Sequence, residues 1–87
     1  MEFIGEHLKN TRNKKNLKLS YIAKELKISF DILNLIEEDN FPNYIDSVYL
    51  IGHIRSYARF LDLNEKEIIE NFKIQTSYNK NDNIKEV

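Results

Sequence analysis

The chain has no cysteine and no tryptophan, only one proline, and only two glycines among its 87 residues. Without cysteine there is no disulfide framework and no thiolate metal site. His7 and His53 are the only histidines, too few for a zinc constellation. So little glycine and proline argues against a turn-rich β sandwich or barrel and leaves no Gly-rich phosphate loop. No run of about 18 apolar residues is present, so no segment here reads as a bilayer-spanning helix. The opening Met1-Glu2-Phe3-Ile4-Gly5 lacks the basic start and apolar stretch of a signal peptide. Apolar residues make up 41% and charged residues 31%, a balance that suits one small globular domain. A cytoplasmic location is expected.

The apolar residues recur at helical spacing. Phe3, Ile4 and Leu8, with Thr11 more weakly, mark a first helix over 3–15. Leu19, Ile22, Ala23 and Leu26 mark a short second one. Ser29 is placed to cap a third, Phe30 to Glu38, with Ile32, Leu33 and Ile36 inward. A loop follows over Asp39–Tyr44, where Asn40 and Asn43 tolerate left-handed backbone. Asp46 or Ser47 starts the longest helix, which reaches Leu61. Asn64 caps a fifth, Glu65 to Lys73, with Ile68, Ile69 and Phe72 inward. The expected fold is an all-α, five-helix bundle containing a helix-turn-helix, with the architecture of a repressor-like DNA-binding domain. It occupies residues 1–73; residues 74–87 are polar and aperiodic and read as a flexible tail or the start of a linker.

Charge is unevenly distributed. Residues 1–27 carry seven basic and three acidic groups, residues 28–46 none and five, and residues 47–87 six of each. The third helix, which would enter the major groove in a DNA-binding helix-turn-helix, thus lies in the most acidic part of the chain. DNA phosphates would repel it. A DNA-binding reading would rest on Ser29, Phe30 and Asn34 for bases and on Lys18 and Lys27, with Lys15, for phosphates. The basic stretch Lys9, Arg12, Lys14, Lys15, Lys18 suits either phosphates or an anionic membrane surface, or is simply a solvated helix face. Arg12 lies on the side of Leu8 and is expected to pair with Glu37.

On a helical wheel the fourth helix shows two faces. Leu50, Ile54, Tyr57, Ala58 and Leu61, with Ile51 at the edge, face the core. Tyr49, His53, Ser56 and Phe60 form a second stripe with Gly52 at its margin. A glycine inside a helix costs about 1 kcal/mol relative to alanine. Two explanations stand: the fifth helix or the Phe41 loop packs against Gly52 and Phe60 belongs to the core, or Tyr49, Gly52, His53 and Ser56, with Phe60, form a contact surface for another protein. No nucleophile–base pair suggests an enzyme, and no cofactor or small-molecule substrate is implied.

Three stretches carry a resemblance: Ile4-Gly5-Glu6-His7-Leu8-Lys9 with Arg12, Ile36 to Phe41, and above all Val48-Tyr49-Leu50-Ile51-Gly52-His53-Ile54-Arg55-Ser56-Tyr57-Ala58-Arg59-Phe60-Leu61. With Leu63 to Ile69 they resemble the N-terminal helix-turn-helix domain of RodZ-type bacterial cell-shape proteins. The resemblance covers residues 3–73. It implies a phage-repressor-like domain in the cytoplasm, as found in a single-pass membrane protein; this chain is then either a piece of such a protein, with Gln75 to Val87 the beginning of the linker, or a stand-alone relative. It implies binding to the actin-like protein MreB of the bacterial cytoskeleton, with the contacting aromatics at the positions of Tyr49 and His53. The basic N-terminal residues, or Arg55 and Arg59, would add steering towards an acidic partner. His53 stands where the family usually has Phe or Tyr, Asn16 where it has Gly, and Lys18 where it has a small cap.

Overall fold

A computed structural model describes the backbone of residues 2–85 and the side chains of residues 2–77. Among the described residues there are five helices and no strand: α1 (Ile4–Lys14), α2 (Leu19–Leu26), α3 (Phe30–Glu37), α4 (Ser47–Phe60) and α5 (Glu65–Lys85). The fold is all-α, with α2 and α3 joined by the tight turn of a helix-turn-helix. α3 packs on α1 and α2, α4 on α2 and α5, and α1 on α5. The core holds the inward residues that the spacing predicts: Ile4 and Leu8, Leu19, Ile22 and Ala23, Leu33 and Ile36, the α4 stripe, and Ile68, Ile69 and Phe72. Phe3 departs from this. It sits on extended backbone ahead of α1 and is half exposed.

With glycine nearly absent, the chain turns on other residues. Asn16, Lys27, Asp39 and Asp62 all take left-handed backbone, with φ of 57, 57, 57 and 60°. After each, the next amide reaches back to close the helix end: Leu17 to the Arg12 carbonyl, Ile28 to Ala23, Asn40 to Leu35 and Leu63 to Ala58. Leu17, Ile28 and Leu63 then pack against the core. The left-handed residue of the α3–α4 loop is thus Asp39, not Asn40 or Asn43. Asp carries the conformation at a steric cost because its short polar side chain is used elsewhere.

That use is at the start of α1. Asp39 Oδ1 accepts the Gly5 amide at 2.8 Å and Oδ2 the Glu6 amide at 3.3 Å. Gln75 Oε1 accepts the Ile4 amide at 3.1 Å, and its Nε2 donates to Asp39 Oδ1 at 2.9 Å. Phe3 brings no capping side chain of its own, so the unpaired amides of α1 are capped from the α3–α4 loop and from α5. Gly5 is required there. A Cβ would collide with the Ile36 carbonyl and lie 2.7 Å from Asp39 Oδ1.

Two caps are as expected: Asp46 Oδ1 accepts the Val48 amide at 2.9 Å and Asn64 Oδ1 the Glu67 amide at 3.1 Å. Ser29 holds the N-cap position of α3, but its hydroxyl makes no capping bond. Lys18 heads α2, likewise without one. The largest difference lies in α5. The apolar pattern ends at Lys73, yet the helix continues to Lys85. Gln75, expected in the tail, is tied to α1 and Asp39. Glu86 and Val87, at the end of that expected tail, lie outside the described residues.

Candidate protein-interaction surface

Asp46 starts α4 and the Asp62 turn ends it, so the helix presents fourteen residues with a fixed inner stripe. Leu50, Ile54, Tyr57 and Ala58 are buried. That inner stripe is locked by an ion pair from two other helices. Glu37, only 4% exposed, receives Arg12 Nε at 2.7 Å and Nη2 at 3.0 Å. The Tyr57 hydroxyl donates to the same carboxylate. Arg12 also donates to the Leu17 carbonyl at 2.8 Å. The expected Arg12–Glu37 pair is therefore present. Tyr57 as its third member was not legible, because on the wheel it reads only as an apolar core position. The Glu37 hydrogen bond holds the Arg12 guanidinium above its ordinary value against the opposing effect of burial. Burial, with Glu37's hydrogen bond and charge, pushes the Tyr57 phenol well up.

The outer face is open. Tyr49 is 68% exposed and Val48 73%. Gly52, His53 and Ser56 are half-buried. Among the described residues, nothing beyond the helix's own backbone lies within 4 Å of where a Gly52 Cβ would sit. The explanation that another part of the fold packs on Gly52 is thereby excluded. Phe60 ends the stripe differently. Its ring is half-buried and stands edge-on to Tyr21 of α2, 6.3 Å between centroids. Val48 was missed as a surface residue. The signal was available, since the wheel places it beside Gly52 and off the core face.

Arg55 and Arg59 flank this face, and both turn to Glu65 at the start of α5. Arg59 Nε and Nη2 donate at 2.8 and 3.0 Å, and Arg55 Nε lies 3.7 Å away. The Arg59 hydrogen bond holds the Glu65 carboxyl below its ordinary range, and Glu65 in turn raises Arg59. The steering charge expected of these arginines is thus partly neutralised within the fold.

On the helix-turn-helix side, Lys18, Lys27 and Ser29 are exposed, Phe30 is 48% exposed and Asn34 is half-buried. The other outward residues of α3 are Asp31 and Glu38. The helix that would enter a groove therefore presents carboxylates and no cation. Among the described residues, no three His, Cys, Asp or Glu side chains come together as a metal site. No described helix is long and apolar enough to cross a membrane.

No solved structure matches the chain significantly. A family model described as a helix-turn-helix domain matches residues 7–68, which takes in α1 from His7 onward, α2 to α4 and the first turn of α5. The match covers more than half of the chain, and this protein therefore belongs to that helix-turn-helix domain family.

Proposed function

We propose that this domain is a non-enzymatic protein-interaction module on the cytoplasmic side of the membrane, and that its α4 outer face docks on the actin-like protein MreB. The observation that carries the reading is Gly52. It sits inside a helix with open space over it, next to an exposed tyrosine. The fold itself gains nothing from a glycine there, whereas a partner gains close approach to the helix backbone. Tyr49 supplies an aromatic anchor with few rotors to freeze. His53 and Ser56 continue the strip, and Phe60 ends it against Tyr21. The resemblance of Val48 to Leu61 to the RodZ-type domain names the partner.

Titration of the domain against the cognate MreB tests this. Tyr49→Ala with His53→Ala is expected to weaken binding by at least about 30-fold, the effect of one hot-spot side chain. Unchanged affinity of the folded double variant would refute the assignment. The competing reading is a DNA-binding regulator using Ser29, Phe30 and Asn34 with Lys18 and Lys27. It predicts tight, salt-dependent preference for one duplex sequence over random duplex. The carboxylates of α3 speak against it.

A further inference from the structure

The cations of the described structure divide sharply by type. All three arginines are engaged: Arg12 with Glu37, and Arg55 and Arg59 with Glu65. Among the residues whose side chains are described, 2–77, no lysine has an ion-pair partner within 4 Å. Five of these free lysines fall between Lys14 and Lys27, with Glu25 as the only acidic residue in that span, a local net of +4. Lys14 and Lys15 end α1, Lys18 heads α2, Lys24 lies on α2, and Lys27 occupies the left-handed turn into α3. All five are exposed. They bracket the outward side of α2, since Leu19, Ile22 and Ala23 face the core. Tyr21, one helical turn from Lys24, is 49% exposed there, and Phe30 follows the turn after Lys27.

From this arrangement we infer that the outward side of α2, with its flanking turns, is a docking face for an anionic phospholipid surface. Unpaired lysines on flexible stems suit diffuse attraction to many headgroups and lack the bidentate fork that reads a fixed site. Tyr21 and Phe30 supply the aromatic character that settles at a headgroup boundary. Along the chain from Lys14 to Asn34 the carboxylates are Glu25 on α2 and Asp31 beside Phe30, two against five lysines. Duplex DNA fits the same charges less well. Engaging it through a helix-turn-helix carries α3, with Asp31 and Glu38, between the phosphate walls. A lipid surface can meet α2 without enclosing α3. The inference does not rest on the α4 surface, whose Gly52 strip carries no lysine, although the two faces meet where Tyr21 touches Phe60.

Cosedimentation of the full 87-residue chain with phosphatidylcholine vesicles, with and without phosphatidylglycerol, is the test. The expected result is binding only to the phosphatidylglycerol vesicles. It should vanish near 1 M salt, where screening acts within about 3 Å. Each of the five lysines of this arc around α2, changed to Gln, should weaken it about fivefold, from about 1 kcal/mol per basic residue at such a surface. Tyr21→Ala should weaken it further. Lys66→Gln with Lys73→Gln removes two charges beside the α4–α5 cleft and should have less effect than one arc lysine. No binding to anionic vesicles at low salt overturns the inference. So does an equal loss from the Lys66/Lys73 pair, or tighter binding to random duplex DNA than to the vesicles.

Discussion

Tyr57 donates its phenolic hydrogen to Glu37 Oε2, the carboxylate oxygen that also takes the Arg12 Nε–H. One buried carboxylate on α3 therefore joins α1 and α4. The helix bearing the proposed docking face is held at its inner side by the only charged side chain that is buried among the described residues.

Loss of that carboxylate is expected to be severe. Glu37→Gln removes the charge opposite Arg12, whose side chain is 13% exposed. Breaking one member of a buried pair costs about 3–5 kcal/mol. Urea unfolding followed by circular dichroism should show most of the domain's stability gone. The variant Arg12→Met, Glu37→Leu, Tyr57→Phe replaces the whole network with apolar groups and should recover most of it, because no buried charge is left unpaired. A triple variant as unstable as Glu37→Gln would show that shape, not charge, sets the cost.

The same network sets an alkaline limit. The folded state raises the Tyr57 phenol above its ordinary value of 10.0, first through burial and then through Glu37. A group whose folded value is raised contributes stability that is complete below its unfolded value and is lost as pH rises beyond it. Stability should therefore fall progressively above about pH 10. Tyr57→Phe should lack this component of the decline. Parallel unfolding curves at rising pH check the difference.

Gly52→Ala should stabilise the isolated domain by about 1 kcal/mol, raising its melting temperature by about 4–8 °C. The added methyl meets no atom of the fold. On the proposed reading the same variant binds its partner more weakly, so the two measurements should move in opposite directions. A destabilised Gly52→Ala would mean that the helix needs the glycine for itself.

Gly5 should behave in the reverse way. Alanine there strikes the Ile36 carbonyl, backbone that cannot rotate aside. Gly5→Ala should cost about 1–3 kcal/mol by forcing α1 away from α3. Asp39→Ala, which uncaps the Gly5 and Glu6 amides and releases Gln75, should cost about 0.5–2 kcal/mol. Thermal denaturation of the two variants ranks the contributions.

The two glycines show how far the sequence could be read. Both are visible as helical glycines, but their neighbours in sequence do not say what lies across from them. Gly5 faces a carbonyl 31 residues away and Gly52 faces open space. Likewise Gln75 looks like part of a polar tail because its role is to satisfy the Ile4 amide 71 residues earlier. Such a contact leaves no periodic trace. Asp46 and Asn64 were legible because a cap acts within three residues of itself.

The sequence alone determined the helices, their inward faces, the acidic character of α3 and the pairing of Arg12 with Glu37. Each follows from local spacing, or from a charge that must be matched once buried. The tertiary structure decided which glycine is enclosed and which is bare, that Tyr57 completes the Glu37 site, that α5 runs on to Lys85, and that arginines are spent while lysines stay free. These depend on how far apart the packed helices lie, and that distance is set by all the side chains between them at once.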